Sequence, residues 1–305
     1  MNPKAVIDIG TNTINLLIAS RHDEGFIMEF FDRIPAKLGK GGMNGNRLTA
    51  EAMERGLAAL EEHLISCDEH EVGEIIVTAT SAVRNAENRQ EFIELVFNEY
   101  GLEVDVIDGD RESDLIWKGV RMTGLAMDET ILIMDIGGGS TEFIVARDDD
   151  LIWQQSYKLG VTRLKERFDA ADPFTEADAQ KIREAIRHEL EDLWIEGTRS
   201  KVKTLVGASG SFNSIDLMLA LGDIESLPEV RHRMDMEQYH RLSSMVRSSP
   251  YARRSAIPGL VPDRVDTIPY AFLLIDEVLE QLKIEDLWRS SYALKEGLMA
   301  EMFGG

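Results

Sequence analysis

Two stretches of this chain are versions of one another. Ala5-Val6-Ile7-Asp8-Ile9-Gly10-Thr11-Asn12-Thr13-Ile14-Asn15-Leu16-Leu17-Ile18-Ala19 aligns without a gap to Leu132-Ile133-Met134-Asp135-Ile136-Gly137-Gly138-Gly139-Ser140-Thr141-Glu142-Phe143-Ile144-Val145-Ala146. Asp8 meets Asp135, Gly10 meets Gly137 and Thr13 meets Ser140. Each copy is an apolar run, a short glycine-bearing turn dressed with hydroxyl or amide side chains, and a second apolar run, the pattern of a β-hairpin. Two such hairpins in one register predict a duplicated domain.

Length agrees: 305 residues suit two medium domains with a ligand cleft between them. Elsewhere strands are expected at 74–78, 102–107 and 202–206, and helices over 89–100, 112–122, 211–221, 267–282 and 293–303, an alternation that predicts α/β architecture. Met53, Leu57, Leu60 and Leu64 recur at helical spacing. So do Ile182, Ile186, Leu190 and Leu193, in a helix that opens at Thr175 with Asp178 three residues on, a reciprocal cap. The domain boundary is expected at 122–129, without a Pro/Gly/Ser-rich linker, and 39–45 reads as the only strongly flexible loop.

The turns invite an anion. Gly10, Thr11, Asn12 and Thr13 in one, and Gly137, Gly138, Gly139, Ser140 and Thr141 in the other, offer backbone N–H groups and hydroxyls where glycine lets a ligand approach closely. The carboxylates that lead the turns, Asp8 and Asp135, suit a divalent metal bound through oxygen or water. Gly207, Ser209, Gly210 and Ser211 join a strand to a helix and could bind an anion at the helix start.

Charge pulls the other way. Asp and Glu number 55 against 33 Lys and Arg, a net charge of −22, which disfavours nucleic acid and anionic membranes as partners. A phosphate-rich ligand therefore needs bound metal or clustered cations, for which Lys37, Lys40, Arg163 and Arg264 are candidates. The single Cys67 excludes an internal disulfide, and the opening MNPKAVIDIG lacks the apolar stretch of a signal peptide, so a cytoplasmic protein is expected. The six histidines show no zinc spacing, and the four tryptophans are scattered like core anchors.

Taken with further segments, the turns resemble those of a known family. They look like the phosphate loops of the actin, hexokinase and Hsp70 superfold, and the finer pattern is similar to the exopolyphosphatase and guanosine pentaphosphate phosphatase family. The matching segments run in order along nearly the whole chain. Besides the turns they are Thr80-Ser81-Ala82-Val83-Arg84-Asn85 with Asn88, Gly109-Asp110-Arg111-Glu112, Leu159-Gly160-Val161-Thr162-Arg163-Leu164, Gly207-Ala208-Ser209-Gly210-Ser211 and Ile257-Pro258-Gly259-Leu260 with Arg264 and Asp266.

The resemblance implies two ribonuclease H-like (actin-like ATPase) domains with an interdomain cleft. The first would span 1–122, completed by a C-terminal helix at about 290–305, and the second 123–289. It implies a phosphohydrolase acting on polyphosphate or guanosine pentaphosphate with Mg²⁺ or Mn²⁺. Glu112 becomes the general base, although by position alone it is a first-turn carboxylate suited to the helix dipole. Glu142 becomes a residue near the scissile phosphate that binds metal or positions water, and Arg84 a phosphate-contacting fork. The region of Gly207 to Ser211 accommodates a nucleoside in actin-like ATPases. Arg111 stands where an acidic residue is usual, 267–271 replaces a small glycine-containing turn, and Lys295 replaces a common Arg. The extra helical C-terminal domains of long members are not expected, and a homodimer is among the assemblies allowed. A kinase or ATPase of the same superfold, and a non-catalytic sensor of an alarmone or polyphosphate, remain open alternatives.

Overall fold

The first apolar run forms β1 (Lys4–Ile9) and its sequel β2 (Ile14–His22), antiparallel, with Asp8 opposite Asn15. Ala5, Val6, Ile7 and Ile9 are all fully buried, which is why β1 reads as continuous rather than alternating hydrophobicity. β3 (Gly25–Ile34) extends the meander, with a bulge between Ile18 and Ala19. Then come α1 (Ala50–Glu69), capped by the Thr49 hydroxyl, β4 (Glu74–Ala79), α2 (Ser81–Arg84), α3 (Arg89–Tyr100), β5 (Val104–Val106) and α4 (Gly109–Arg121). The sheet order is β3-β2-β1-β4-β5, with β1, β4 and β5 parallel.

The second half repeats this plan. β6 (Ile131–Ile136), β7 (Thr141–Arg147) and β8 (Asp150–Tyr157) form an antiparallel meander. Helices α5 (Val161–Phe168), α6 (Glu176–Glu189) and α7 (Glu191–Arg199) lead to β9 (Thr204–Ala208) and α8 (Ser209–Leu219). After β10 (Arg231–Met234) come α9 (Met236–Ser248), α10 (Tyr251–Arg254), α11 (Ile268–Leu282), β11 (Asp286–Ser290) and α12 (Leu294–Phe303). The order β10-β11-β9-β6-β7-β8, with β6, β9 and β11 parallel, matches the first sheet strand for strand apart from the added β10. The duplication thus extends well beyond the hairpins.

This computed structural model describes residues 2–23, 25–125, 129–228 and 230–304. The chain divides into two compact units, Met1–Gly119 with Leu294–Gly305, and Val120–Ala293. The boundary expected at 122–129 includes residues 126–128, which lie outside the described residues. Each unit is a mixed α/β body with its own core, one built around Leu38, Leu60 and Phe92, the other around Phe143, Phe212, Tyr239 and Phe272. Among the described residues no helix is long and apolar enough to cross a membrane.

Two expectations need correction. The helix expected through Leu193 is two helices, because Leu190, with φ −102° and ψ 21°, ends α6 and begins α7. Its side chain is fully buried, so the apolar spacing runs on across the break. The cap at Thr175 is present, with N–H to oxygen distances of 3.1 and 3.2 Å. The segment 39–45 is not an open flexible loop: Gly42 N donates to Gly39 O at 3.2 Å, Arg47 N to Gly42 O at 3.2 Å, and Met43 is buried.

Within the second unit, fully buried Asp216 on α8 accepts from Arg289 Nε on β11 at 2.9 Å and faces His232 Nδ1 on β10 at 2.7 Å. Removing one partner of a buried pair strands the other charge. Arg289→Met should therefore lower unfolding stability by about 3–5 kcal/mol in urea titrations; a change below about 1 kcal/mol would show the pair to be dispensable. Burial, and after it the charge of Asp68, pushes the Cys67 thiol up to about 11. Iodoacetamide at pH 8 should leave Cys67 unmodified in the native protein and alkylate it in urea, and rapid native labelling would contradict this burial.

Candidate functional site

In a parallel sheet, ligands gather beyond the carboxyl ends of the strands. In the first unit Ile9, Ala79 and Val106 are register partners at those ends of β1, β4 and β5. The chain leaves them toward Gly10, toward Thr80 and Arg84, and toward Asp108 and Glu112. In the second unit Asp135, Ala208 and Ser290 are the corresponding partners, followed by Gly137, by Ser209 and by Ser291. The sequence candidates of each unit therefore collect at one sheet edge.

Both turns are closed alike: Gly10 N donates to Thr13 O, and Gly137 N to Ser140 O, each at 3.0 Å. Their carbonyls are then tied down. Gly39 N donates to Thr11 O at 2.9 Å and Lys37 N to Asn12 O at 2.8 Å. In the second turn Val161 N donates to Gly137 O at 3.0 Å, Thr162 N to Gly138 O at 2.9 Å and Arg163 Nε to Gly139 O at 3.0 Å. A planar trans peptide points its N–H opposite its C=O. The N–H groups of Asn12 and Thr13, and of Gly138, Gly139 and Ser140, are accordingly turned away from these tethers, an arrangement that forms anion-binding concavities. The first N–H groups of α5 are satisfied by turn carbonyls, so this helix start is a tether for the turn. The approach is close: a Cβ on Gly160 would lie 2.2 Å from Gly138 C. Burial pulls the Arg163 guanidinium below its ordinary value, against the opposing charges of Glu166 and Glu189.

Directly opposed residues on neighbouring strands share a face of the sheet. The row across β1, β2 and β3 is Asp8, Asn15 and Arg33; the row across β6, β7 and β8 is Asp135, Glu142 and Ser156. Asn15 Nδ2 donates to Asp8 Oδ2 at 3.0 Å, and Arg33 brings a basic residue into the first row. The second sets two carboxylates side by side, with Asp135 8% and Glu142 1% exposed. Ser209 Oγ donates to Asp135 Oδ2 at 2.6 Å and Ser156 Oγ to Glu142 Oε1 at 2.7 Å. A pair of carboxylates oriented in this way is of the kind that suits Mg²⁺, which binds through one or two carboxylates plus water and phosphate oxygens. Among the described residues no group of three or more His, Cys, Asp or Glu could hold a metal alone.

Glu112 lies in the first turn of α4, which Asp108 caps by accepting from Arg111 N at 2.8 Å. The Glu112 side chain is 8% exposed in the residue as a whole and accepts from Arg84 Nη1 at 2.7 Å, while the same nitrogen donates to Ile107 O at 3.0 Å. Arg84 and Glu112, separate candidates in the sequence, are thus one ion pair bridging the ends of β4 and β5. Other candidates face inward. Thr141 Oγ1 donates to Leu159 O at 3.0 Å and Ser211 Oγ to Ile136 O at 3.3 Å. Gly207 lies within β9 against the Phe212 ring, and Gly210 lies against the Arg264 guanidinium. Ser209, at φ +64°, holds a left-handed conformation that costs a non-glycine residue energy and often marks a functional site. Sequence reasoning misses Ser156 and the tethering by Lys37 and Gly39, for which composition holds no signal; the Gly160 that precedes α5 is the one visible clue to the second tether.

Residues 17–304 match the model of the Ppx/GppA phosphatase family. The guanosine-5'-triphosphate,3'-diphosphate pyrophosphatase of Photobacterium profundum is 29% identical over 304 residues, which cover 98% of this chain and 59% of that protein. A bifunctional 3-dehydroquinate synthase/phosphatase of Fusobacterium nucleatum is 29% identical over 292 residues, 91% of this chain and 43% of that protein. This chain thus spans well under two thirds of the curated relatives it matches. Among solved structures, an exopolyphosphatase from Cytophaga hutchinsonii has a TM-score of 0.95 at 33% identity, covering 99% of this chain and 98% of that one. The Ppx/GppA family member of Aquifex aeolicus has a TM-score of 0.80 at 25% identity, covering 99% and 97%.

If the tethered turn is an anion cradle, Gly160→Ala should push the Gly138 peptide out of place. Calorimetric titration with tripolyphosphate should then show affinity reduced about tenfold or more, roughly one lost hydrogen bond to a charged group. Unchanged affinity in a folded variant would remove the turn from the binding surface.

Proposed function

The chain belongs to the Ppx/GppA phosphatase family, and we propose that it is a phosphohydrolase releasing terminal orthophosphate from inorganic polyphosphate or the 5'-γ-phosphate of guanosine pentaphosphate. The observation that carries this reading is the pair of equivalent turns whose carbonyls are tied back so that successive N–H groups point the other way. Repeated donors suit a ligand made of repeated phosphoryl groups, and a chain of net charge −22 needs such focused donors to hold a polyanion at all.

In the proposed reaction, the oxygen of a water molecule bonds to the terminal phosphorus as the bridging P–O bond breaks. Glu112 accepts the proton that water gives up, and orthophosphate departs from a chain shortened by one phosphoryl group. The Arg84 contact fixes the direction of the Glu112 carboxylate, and the remaining N–H groups of the guanidinium fork are suited to phosphate oxygens. Asp135 and Glu142 would hold Mg²⁺ or Mn²⁺, which when bound supplies positive charge to the phosphoryl oxygens. The opposed carboxylates of the second sheet support this placement; Asp8, the metal candidate of the first unit, is paired with Asn15.

Orthophosphate release should be measured side by side from long polyphosphate, tripolyphosphate, guanosine pentaphosphate and ATP, with and without Mg²⁺. Glu112→Gln should fold and bind tripolyphosphate yet release phosphate about 100-fold more slowly or worse. Wild-type turnover in that variant would end the assignment of Glu112, and tight binding without turnover in the unaltered protein would replace the enzyme by a sensor.

A further inference from the structure

A proton acceptor is only as well placed as the helix that carries it, and α4 is gripped on a second side by α12. The Glu301 carboxylate receives two parallel hydrogen bonds from the Arg111 guanidinium, Nη1 to Oε1 at 2.8 Å and Nη2 to Oε2, and it also pairs with Lys118. Arg111 and Lys118 lie about two helical turns apart on α4, so a single carboxylate is paired with both the first and the last part of that helix. Arg111 immediately precedes Glu112 and faces α12, while Glu112 faces Arg84. Between the two helices, a Cβ on Gly297 would lie 2.0 Å from Leu115 O, so α12 meets α4 at backbone contact.

The turn of α12 that carries Glu301 is itself anchored. Lys4 Nζ donates to Met302 O at 2.8 Å and stands 5.3 Å from the centre of the Phe303 ring. Arg21 donates to Phe303 O and lies 5.8 Å from the same ring, on which Phe26 stacks at 6.0 Å. The last turn of α12 thus ties α4, through Glu301, to β1 and β2, through Met302 and Phe303. Glu301 and Arg111 side chains are 24% and 40% exposed. Ion pairs this wet add little to stability, typically under about 1 kcal/mol. A two-pronged pair does fix direction, however, because both prongs must be satisfied at once.

We infer that Glu301 is a positioning residue for phosphate release: through Arg111 and Lys118 it sets where α4 places Glu112. The inference rests on Glu112 being the proton acceptor. It accounts for a basic residue at 111, where the sequence resemblance led one to expect an acid: this side chain is turned to α12 and paired there.

The test is steady-state phosphate release from tripolyphosphate with Mg²⁺ by the full chain. Glu301→Gln should lower kcat about tenfold, since displacements of a fraction of an ångström at a reacting group cost that much, with KM within about twofold. Its melting temperature should move by only about 2 °C. Glu301→Asp, which keeps the charge, should recover part of the lost kcat, and Arg111→Lys, which keeps charge but loses one prong, should fall between. Wild-type kcat in Glu301→Gln would overturn the inference, as would a kcat loss that only follows a matching fall in melting temperature. Glu112→Gln is assayed beside them. An inactive Glu112→Gln with a fully active Glu301→Gln removes the positioning role alone, whereas an active Glu112→Gln removes both readings.

Discussion

The start of α5 and the glycine turn before β7 satisfy one another, and the local geometry of the second unit follows from that exchange. A helix start has N–H groups in need of acceptors, and a tight turn has carbonyls in need of donors. Here the N–H of Val161 answers Gly137, those of Thr162 and Arg163 answer Gly138, and the Arg163 side chain answers Gly139. Once those carbonyls are fixed, planarity leaves the N–H vectors no choice of direction. In the first unit the segment at Lys37 and Gly39 does for Thr11 and Asn12 what α5 does for the glycines, with irregular backbone in place of a helix.

The two turns are alike in backbone and unlike in charge. Across the first sheet the carboxylate of Asp8 meets an amide and then a guanidinium-bearing residue; across the second, Asp135 meets Glu142 and then a serine. Adjacent buried carboxylates repel unless a cation or a proton comes between them. A duplicated scaffold has thus kept its turn twice and varied the charge beside it.

Much of the scaffold is legible in the sequence. The hairpins are visible because β1, β2, β6 and β7 are buried on both faces and the turn residues recur in register. β3 and β8 are harder to see: Glu29, Asp32 and Arg33 in one, and Gln154 and Gln155 in the other, break the apolar pattern of partly exposed strands. The interruption at Leu190 is hidden because hydrophobic spacing records which face is buried and not whether the backbone stays helical. Arg84 and Glu112 are legible as residues but not as a pair, since their meeting depends on β4 and β5 ending side by side. Ser156 and Glu301 are ordinary residues whose places arise only from strand register and helix docking.

One consequence concerns birth rather than function. The second unit is an unbroken stretch of chain, whereas the first needs α12, whose last carbonyls are grasped by Lys4 and Arg21 across sequence separations of 298 and 282 residues. Domains emerging from a ribosome tend to fold as they appear. In this chain the half translated first must wait, its sheet lacking its closing helix, until the other half has been made in full. β1 and β2, made before every other strand of this stretch, complete their contacts only when α12 arrives.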